Sequence, residues 1–196
     1  MEFVKEFATF LHEKGIIKFG DFTLASGKKS EYYIDLRLVA SYPHIFRKMV
    51  KQLQNKISDE IGFENFDSLV SVPTGGLVVA SSLATEIVKP LIYVRNKPKD
   101  HGTSQSIEGV ICQDMKLLMI DDVATTGDSV VNAIKVLKES GMKVTDAFVV
   151  VDRSDGGAST ALELEGVKLH SLVDLSLIHI SEPTRLLSIA DGRLLG

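Results

Sequence analysis

Phe3, Phe7, Phe10 and Leu11 recur at i, i+4, i+7 and i+8, the spacing of one apolar helix face, and Gly15 is a stop signal. Lys18 to Leu24 and Tyr32 to Leu38 then read as two short strands. The polar stretch Ala25 to Ser30 between them makes a hairpin or antiparallel flap. Pro43 opens a second helix whose apolar positions are Phe46, Met49, Val50, Leu53 and Ile57. From there the pattern changes. Ser68 to Val72, Leu91 to Val94, Lys116 to Ile120 and Val144 to Val151 are short continuous apolar runs. Leu77 to Val88 and Ser129 to Ser140 carry helical spacing between them. Strands apolar on both faces, alternating with helices, predict a mostly parallel central sheet flanked by helices, joined by right-handed crossovers. The α/β class follows, with the flap of residues 1–40 as a small N-terminal hood. A loop as long as Asn96 to Asp114 between two strands of a compact domain is usually functional.

Composition narrows the function classes. At 196 residues and 44% hydrophobic, the chain is long enough to bury a core without staples. Lys and Arg number 22 against 26 Asp and Glu, so global charge does not favour nucleic acid. No run of 18 apolar residues spans a membrane. The single Cys112 excludes an intrachain disulfide or a multi-cysteine zinc site, fits a reducing cytoplasm and has no visible partner. His12, His44, His170 and His179 share no ligand spacing and read as structural or surface residues. From Ser176 onward no clean period exists and Pro183 interrupts any helix. That stretch resembles translated adapter or vector sequence more than a designed terminus. Residues 1–175 are therefore expected to form one domain, with 176–196 a tail set aside from the fold argument.

The strongest chemical signal lies in Leu117 to Ser129. An apolar strand delivers Asp121 and Asp122 to its C-terminal end, where parallel sheets bind ligands. Thr125, Thr126 and Gly127 follow, and a helix begins near Ser129. Hydroxyls, a glycine and the free N–H groups of a helix N-terminus make a phosphate cradle. Two carboxylates beside a phosphate need something else to face, and sugar hydroxyls or a hydrated Mg²⁺ meet that need. The residues alone thus suggest a phosphorylated sugar lying across the strand end. Neither of the common Gly-rich nucleotide motifs is present. Arg95, Lys97, Lys99 and His101 cluster on the long loop, as diphosphate binding requires. Arg153 ends an apolar strand, and a planar guanidinium suits a carboxylate.

The segment 121–129 resembles the phosphoribosyl-diphosphate (PRPP) motif of type I phosphoribosyltransferases. That resemblance implies that Asp121 and Asp122 hold the ribose hydroxyls, that Ala124, Thr125, Thr126, Gly127, Asp128 and Ser129 take the 5′-phosphate, and that Val123 also lies in the PRPP site. Pro73-Thr74-Gly75-Gly76 resembles the family's diphosphate loop, which implies contacts from Thr74, Gly75 and Gly76. Lys99-Asp100-His101-Gly102 and the following Glu108-Gly109 look like the catalytic loop of orotate phosphoribosyltransferases. There Arg95, Lys99 and His101 match PRPP contacts, with Lys99 and His101 catalytic beside the acid pair. Asn96 stands where a second basic residue often follows the arginine, and Lys97 is the substitute one place later. The stretch from Phe22 to Asp35 resembles the flap of the same enzymes, which implies orotate contacts from Ser26, Tyr32 and Tyr33. Thr125 and Arg153 match further orotate contacts. The resemblance spans about residues 1–175. It implies transfer of a phosphoribosyl group from PRPP to orotate with Mg²⁺ held mainly by PRPP. It also implies a cytoplasmic homodimer whose loop 95–109 reaches the partner's site. Two other readings remain open: a purine or uracil transferase of the same fold, and a non-catalytic PRPP- or nucleotide-sensing regulator.

Overall fold

A computed structural model describes residues 2–23, 27, 29–95 and 106–174. Ser26, Lys97, Lys99, His101, His179 and the tail from 176 lie outside the described residues. The chain opens with helix α1 (Glu2–Glu13), which buries Phe7 and Leu11. Strands β1 (Ile17–Thr23) and β2 (Lys29–Ile34) pair antiparallel as a separate two-stranded sheet, with a register shift between Phe19 and Phe22. This is the expected hood, but its second strand stops four residues early. Asp35 accepts from the backbone N–H and guanidinium of Arg37 and turns the chain into a 3₁₀ segment, Leu36–Ser41. Helix α2 (Pro43–Glu60) follows with proline in its first turn, as the pattern predicts.

The main sheet has six strands in the order β5-β4-β3-β6-β7-β8. They are β3 (Ser68–Ser71), β4 (Leu91–Val94), β5 (Ile107–Glu108), β6 (Lys116–Ala124), β7 (Lys143–Asp152) and β8 (Lys168–Asp174). All neighbours run parallel except β5, which is antiparallel to β4. The connecting helices are α3 (Gly75–Ile87), α4 (Asp128–Glu139) and α5 (Gly157–Glu163).

Alternation along the strands sorts the core into two layers. Leu69, Leu118, Ile120, Phe148 and Val150 face α2, α3 and the hood. Val70, Leu117, Met119, Val144 and Ala147 face α4 and α5. Phe7, Leu53, Ile57 and Leu83 are fully buried on the first side, and Ile134 and Leu137 on the second. Burying side chains of this size contributes about 1.5–3 kcal/mol each before entropy is charged.

Chain order gives the position of the site. From β3 the chain steps to β4 on one side, then returns to β6 on β3's other side and moves outward through β7 to β8. The direction of winding reverses between β3 and β6. In open parallel sheets, a crevice opens at the C-terminal ends of the strands flanking such a reversal.

Candidate active site

Two strand-to-helix connections meet at that crevice, after β3 and after β6. Strand β6 runs on through Ala124, whose partner on β7 is Asp152. The expectation of a strand ending at the acid pair is corrected here. The partner strand β7 is ten residues long and continues the ladder past Asp121 and Asp122. The acids are therefore held by strand register, and only Thr125 to Gly127 are left as loop.

The turn after β3 contains a cis Pro73–Thr74 peptide and leads straight into α3, two residues before the predicted start. A Cβ on Gly75 would fall on the Asp122 carboxylate. A Cβ on Gly76 would fall on the Asp121 carboxylate and lie 2.9 Å from its Cα. Close approach to backbone requires glycine at Gly76, whereas a side chain at Gly75 would displace the Asp122 carboxylate. The Ser71 hydroxyl donates to the Ile120 carbonyl at 2.7 Å, fastening β3 to β6 immediately before the acids. The two carboxylates thus lie against the first turn of α3, whose free N–H groups favour negative charge.

The two acids differ in environment. Asp121 is 8% exposed, and its Oδ1 accepts from the Asp122 N–H at 3.0 Å. Burial, reinforced by the Asp122 charge, pushes its carboxyl well above the usual carboxylate range. Asp122 is only partly buried. Beyond them Gly127 adopts φ 82° and caps α4, and the Thr126 hydroxyl donates to Asp128 Oδ2 at 2.7 Å. Thr125, Asp128 and Ser129 are exposed, while Ala124 and Gly127 are buried. Thr74 is exposed on the facing turn.

Arg153 follows β7 directly, and its N–H donates to the Ala124 carbonyl at 3.1 Å. Its side chain is 9% exposed, and its guanidinium lies 4.4 Å from the centroid of the Tyr32 ring in the hood. Nη2 donates to Ser30 Oγ at 2.7 Å and to the Tyr32 carbonyl at 3.2 Å. Arg153 Nε and Ser154 Oγ are buried without a hydrogen-bond partner among the described residues. Burial pushes the Tyr32 phenol up, against the lowering effect of the Arg153 charge. Tyr33 points the other way along β2, is 38% exposed and contacts Phe22 at 5.8 Å between ring centroids.

At the far side of β3, the Arg95 guanidinium pairs with Glu108 at 3.1 Å and the Arg95 N–H donates to the Ser106 carbonyl at 2.7 Å. The two roots of the long loop are therefore held together. Ser71 takes part in this architecture without having stood out in the sequence, and Ser30 and Glu108, though letters of the flap and loop motifs, carried no predicted role there. The partners of Ser30, Ser71 and Glu108 are 123, 49 and 13 residues away, and no local pattern announces those pairings.

Among the described residues no three metal-ligating side chains converge. A separate groove of about 710 Å³, lined by Phe10, Tyr42, Pro43 and Ile45 among others, shares no residue with the crevice.

This geometry defines an α/β protein with a carboxylate-lined crevice at a sheet reversal, and comparison with known proteins gives its family. The Phosphoribosyl transferase domain family matches residues 41–180. Orotate phosphoribosyltransferase of Cenarchaeum symbiosum is 53% identical over 172 residues, covering 88% of this chain and 86% of that protein. The Pyrococcus furiosus enzyme of the same name is 42% identical over 175 residues, covering 89% and 93%. The crystal structure of orotate phosphoribosyltransferase from Aeropyrum pernix superposes with a TM-score of 0.76 at 35% identity, covering 87% of this chain and 94% of that one. The chain belongs to the phosphoribosyltransferase family, a family of pentosyltransferases, and within it to the orotate phosphoribosyltransferases.

Proposed function

We propose that this chain transfers the 5-phosphoribosyl group of PRPP to N1 of orotate, releasing diphosphate and orotidine 5′-monophosphate for pyrimidine synthesis. The observation that carries the choice of base is Arg153, a guanidinium buried at a strand end with Nε unpartnered among the described residues. Orotate is a flat base with a carboxylate, which a planar cation recognises through two parallel hydrogen bonds.

In this reading Asp121 and Asp122 accept from the ribose hydroxyls, and residues 124–129 with the α4 N-terminus take the 5′-phosphate. Thr74, Gly75 and Gly76 present backbone N–H groups to the diphosphate. Tyr32 supplies a ring face beside Arg153, with Tyr33, Ser26 and Thr125 as further base contacts. The C1′–diphosphate bond breaks as N1 of orotate approaches, and charge develops on the ring oxygen and C1′ as in glycoside hydrolysis. No covalent protein nucleophile is needed. The residues act by positioning and by stabilising charge. Arg95, Lys97, Lys99 and His101 neutralise the departing diphosphate, and Lys99 or His101 gives it a proton. Mg²⁺ supplies further charge neutralisation when bound with PRPP, and Asp122, the partly exposed acid, is suited to hold its hydration shell. The active form is a cytoplasmic homodimer of a single domain, residues 1–175, with loop 95–109 entering the neighbouring site.

The test is orotate consumption followed spectrophotometrically with PRPP and Mg²⁺, in parallel with uracil and adenine. Orotate should turn over, and uracil should have a specificity constant lower by at least about thirtyfold, since an unpaired buried charge costs about 2–5 kcal/mol. Comparable constants for uracil and orotate would refute the role of Arg153. Turnover of adenine alone would place the chain with the purine enzymes, and no turnover would favour a sensor.

A further inference from the structure

We propose that Ser30 is a positioning residue for the base site, acting through Arg153. The inference rests on the reading of Arg153 given above. A serine hydroxyl has one proton and two lone pairs. Ser30 uses all three: its proton goes to the Tyr32 carbonyl at 2.7 Å, and its lone pairs face the Tyr32 N–H at 3.3 Å and Arg153 Nη2 at 2.7 Å. The hydroxyl is therefore locked, and it locks the guanidinium in turn. Nη2 has two N–H groups, and its two acceptors, Ser30 Oγ and the Tyr32 carbonyl, both belong to β2. The donors left over are on the rest of the fork, where Nε is buried without a hydrogen-bond partner among the described residues. The Tyr32 ring at 4.4 Å fixes the plane of the fork.

The contact also joins two sheets. Ser30 belongs to the two-stranded hood and Arg153 to the end of β7 in the main sheet, 123 residues apart. The hood is thus docked on the side chain proposed to select the base. Removing the hydroxyl leaves the guanidinium one acceptor on β2 instead of two and restores rotamer freedom that a ligand must then remove.

Four proteins test this: wild type, Ser30→Ala, Ser30→Thr and Arg153→Lys. Steady-state kinetics give KM for orotate and for PRPP separately. Calorimetry gives affinities for orotidine 5′-monophosphate and for uridine 5′-monophosphate, which lacks the carboxylate. Ser30→Ala should raise the orotate KM about tenfold, the range of one hydrogen bond to a charged group, with the PRPP KM and kcat within about twofold. It should weaken orotidine 5′-monophosphate by a similar factor and leave uridine 5′-monophosphate little changed. Ser30→Thr, which keeps the hydroxyl, should restore most of the loss. Adding Ser30→Ala to Arg153→Lys should cost little more than Arg153→Lys alone. An unchanged orotate KM in Ser30→Ala, or equal loss of both nucleotides, would overturn the positioning role while a defect in Arg153→Lys left the base-site reading intact. An unchanged orotate KM in Arg153→Lys would overturn that reading itself, and this inference with it.

Discussion

The two halves of the crevice are built by different means. On one side, Asp121 and Asp122 are placed by backbone: strand register with β7, a Ser71 hydroxyl on the neighbouring carbonyl, and two glycines that let α3 approach. On the other, the Arg153 side chain is placed from outside the main sheet, by a hydroxyl, a backbone carbonyl and an aromatic ring of a separate two-stranded sheet. A backbone-built site shares its strength with the core and tolerates little change. A surface built from contacts of the second kind is adjustable, because its side chains can change without touching the main sheet.

That contrast can be broken from either side. The largest effect is expected from the acids: Asp121→Asn with Asp122→Asn replaces both carboxyl groups by amides and should lower kcat/KM for PRPP about a thousandfold. Next is Arg153→Lys, for which the orotate KM should rise about a hundredfold with the fold retained, as thermal unfolding would check. Gly76→Ala then tests the backbone half directly. Its methyl group meets the Asp121 carboxylate and backbone, so chemical denaturation should show a loss of about 1–3 kcal/mol, a cost not expected of Arg153→Lys. The smallest effect is a pH dependence. Asp121 is raised in the folded state and ordinary in the unfolded one, so between the two values the folded chain binds more protons. Its contribution to stability is complete below the unfolded value and fades as pH rises through the folded one. Asp121→Asn should flatten that decline and be more stable than wild type above it. A variant with the wild-type slope would show that the carboxyl is not held protonated by burial.

The backbone half was the legible half. An apolar run ending in Asp-Asp, then Thr-Thr-Gly, carries its meaning in thirteen consecutive residues, and so does Pro-Thr-Gly-Gly. The central strands were equally plain because burial on both faces leaves an unbroken apolar run. Where the reading stopped short, the cause was non-local. Strand β6 extends to Ala124 because β7 is long, and nothing between Asp122 and Ala124 signals it. Helix α5 and edge strand β8 escaped notice. Lys168 to Asp174 places only His170 and Val173 fully inside, so its apolar pattern is thin. His170 is held between Glu60 at 2.7 Å and Asp146 at 2.8 Å, and both partners come from other elements. Ser30 was visible as a letter of the flap motif, but its bond to Arg153 closes only in three dimensions.

The short antiparallel β5 has a further consequence. Because it returns alongside β4, and Arg95 and Ser106 are joined by a backbone hydrogen bond, the ten residues between them enter and leave at one point. The free energy of closing such an excursion varies only weakly with its length. Insertions or deletions within it therefore leave the spacing of the six strands unchanged. The length of chain between these two roots can thus change without redesign of the scaffold that holds them.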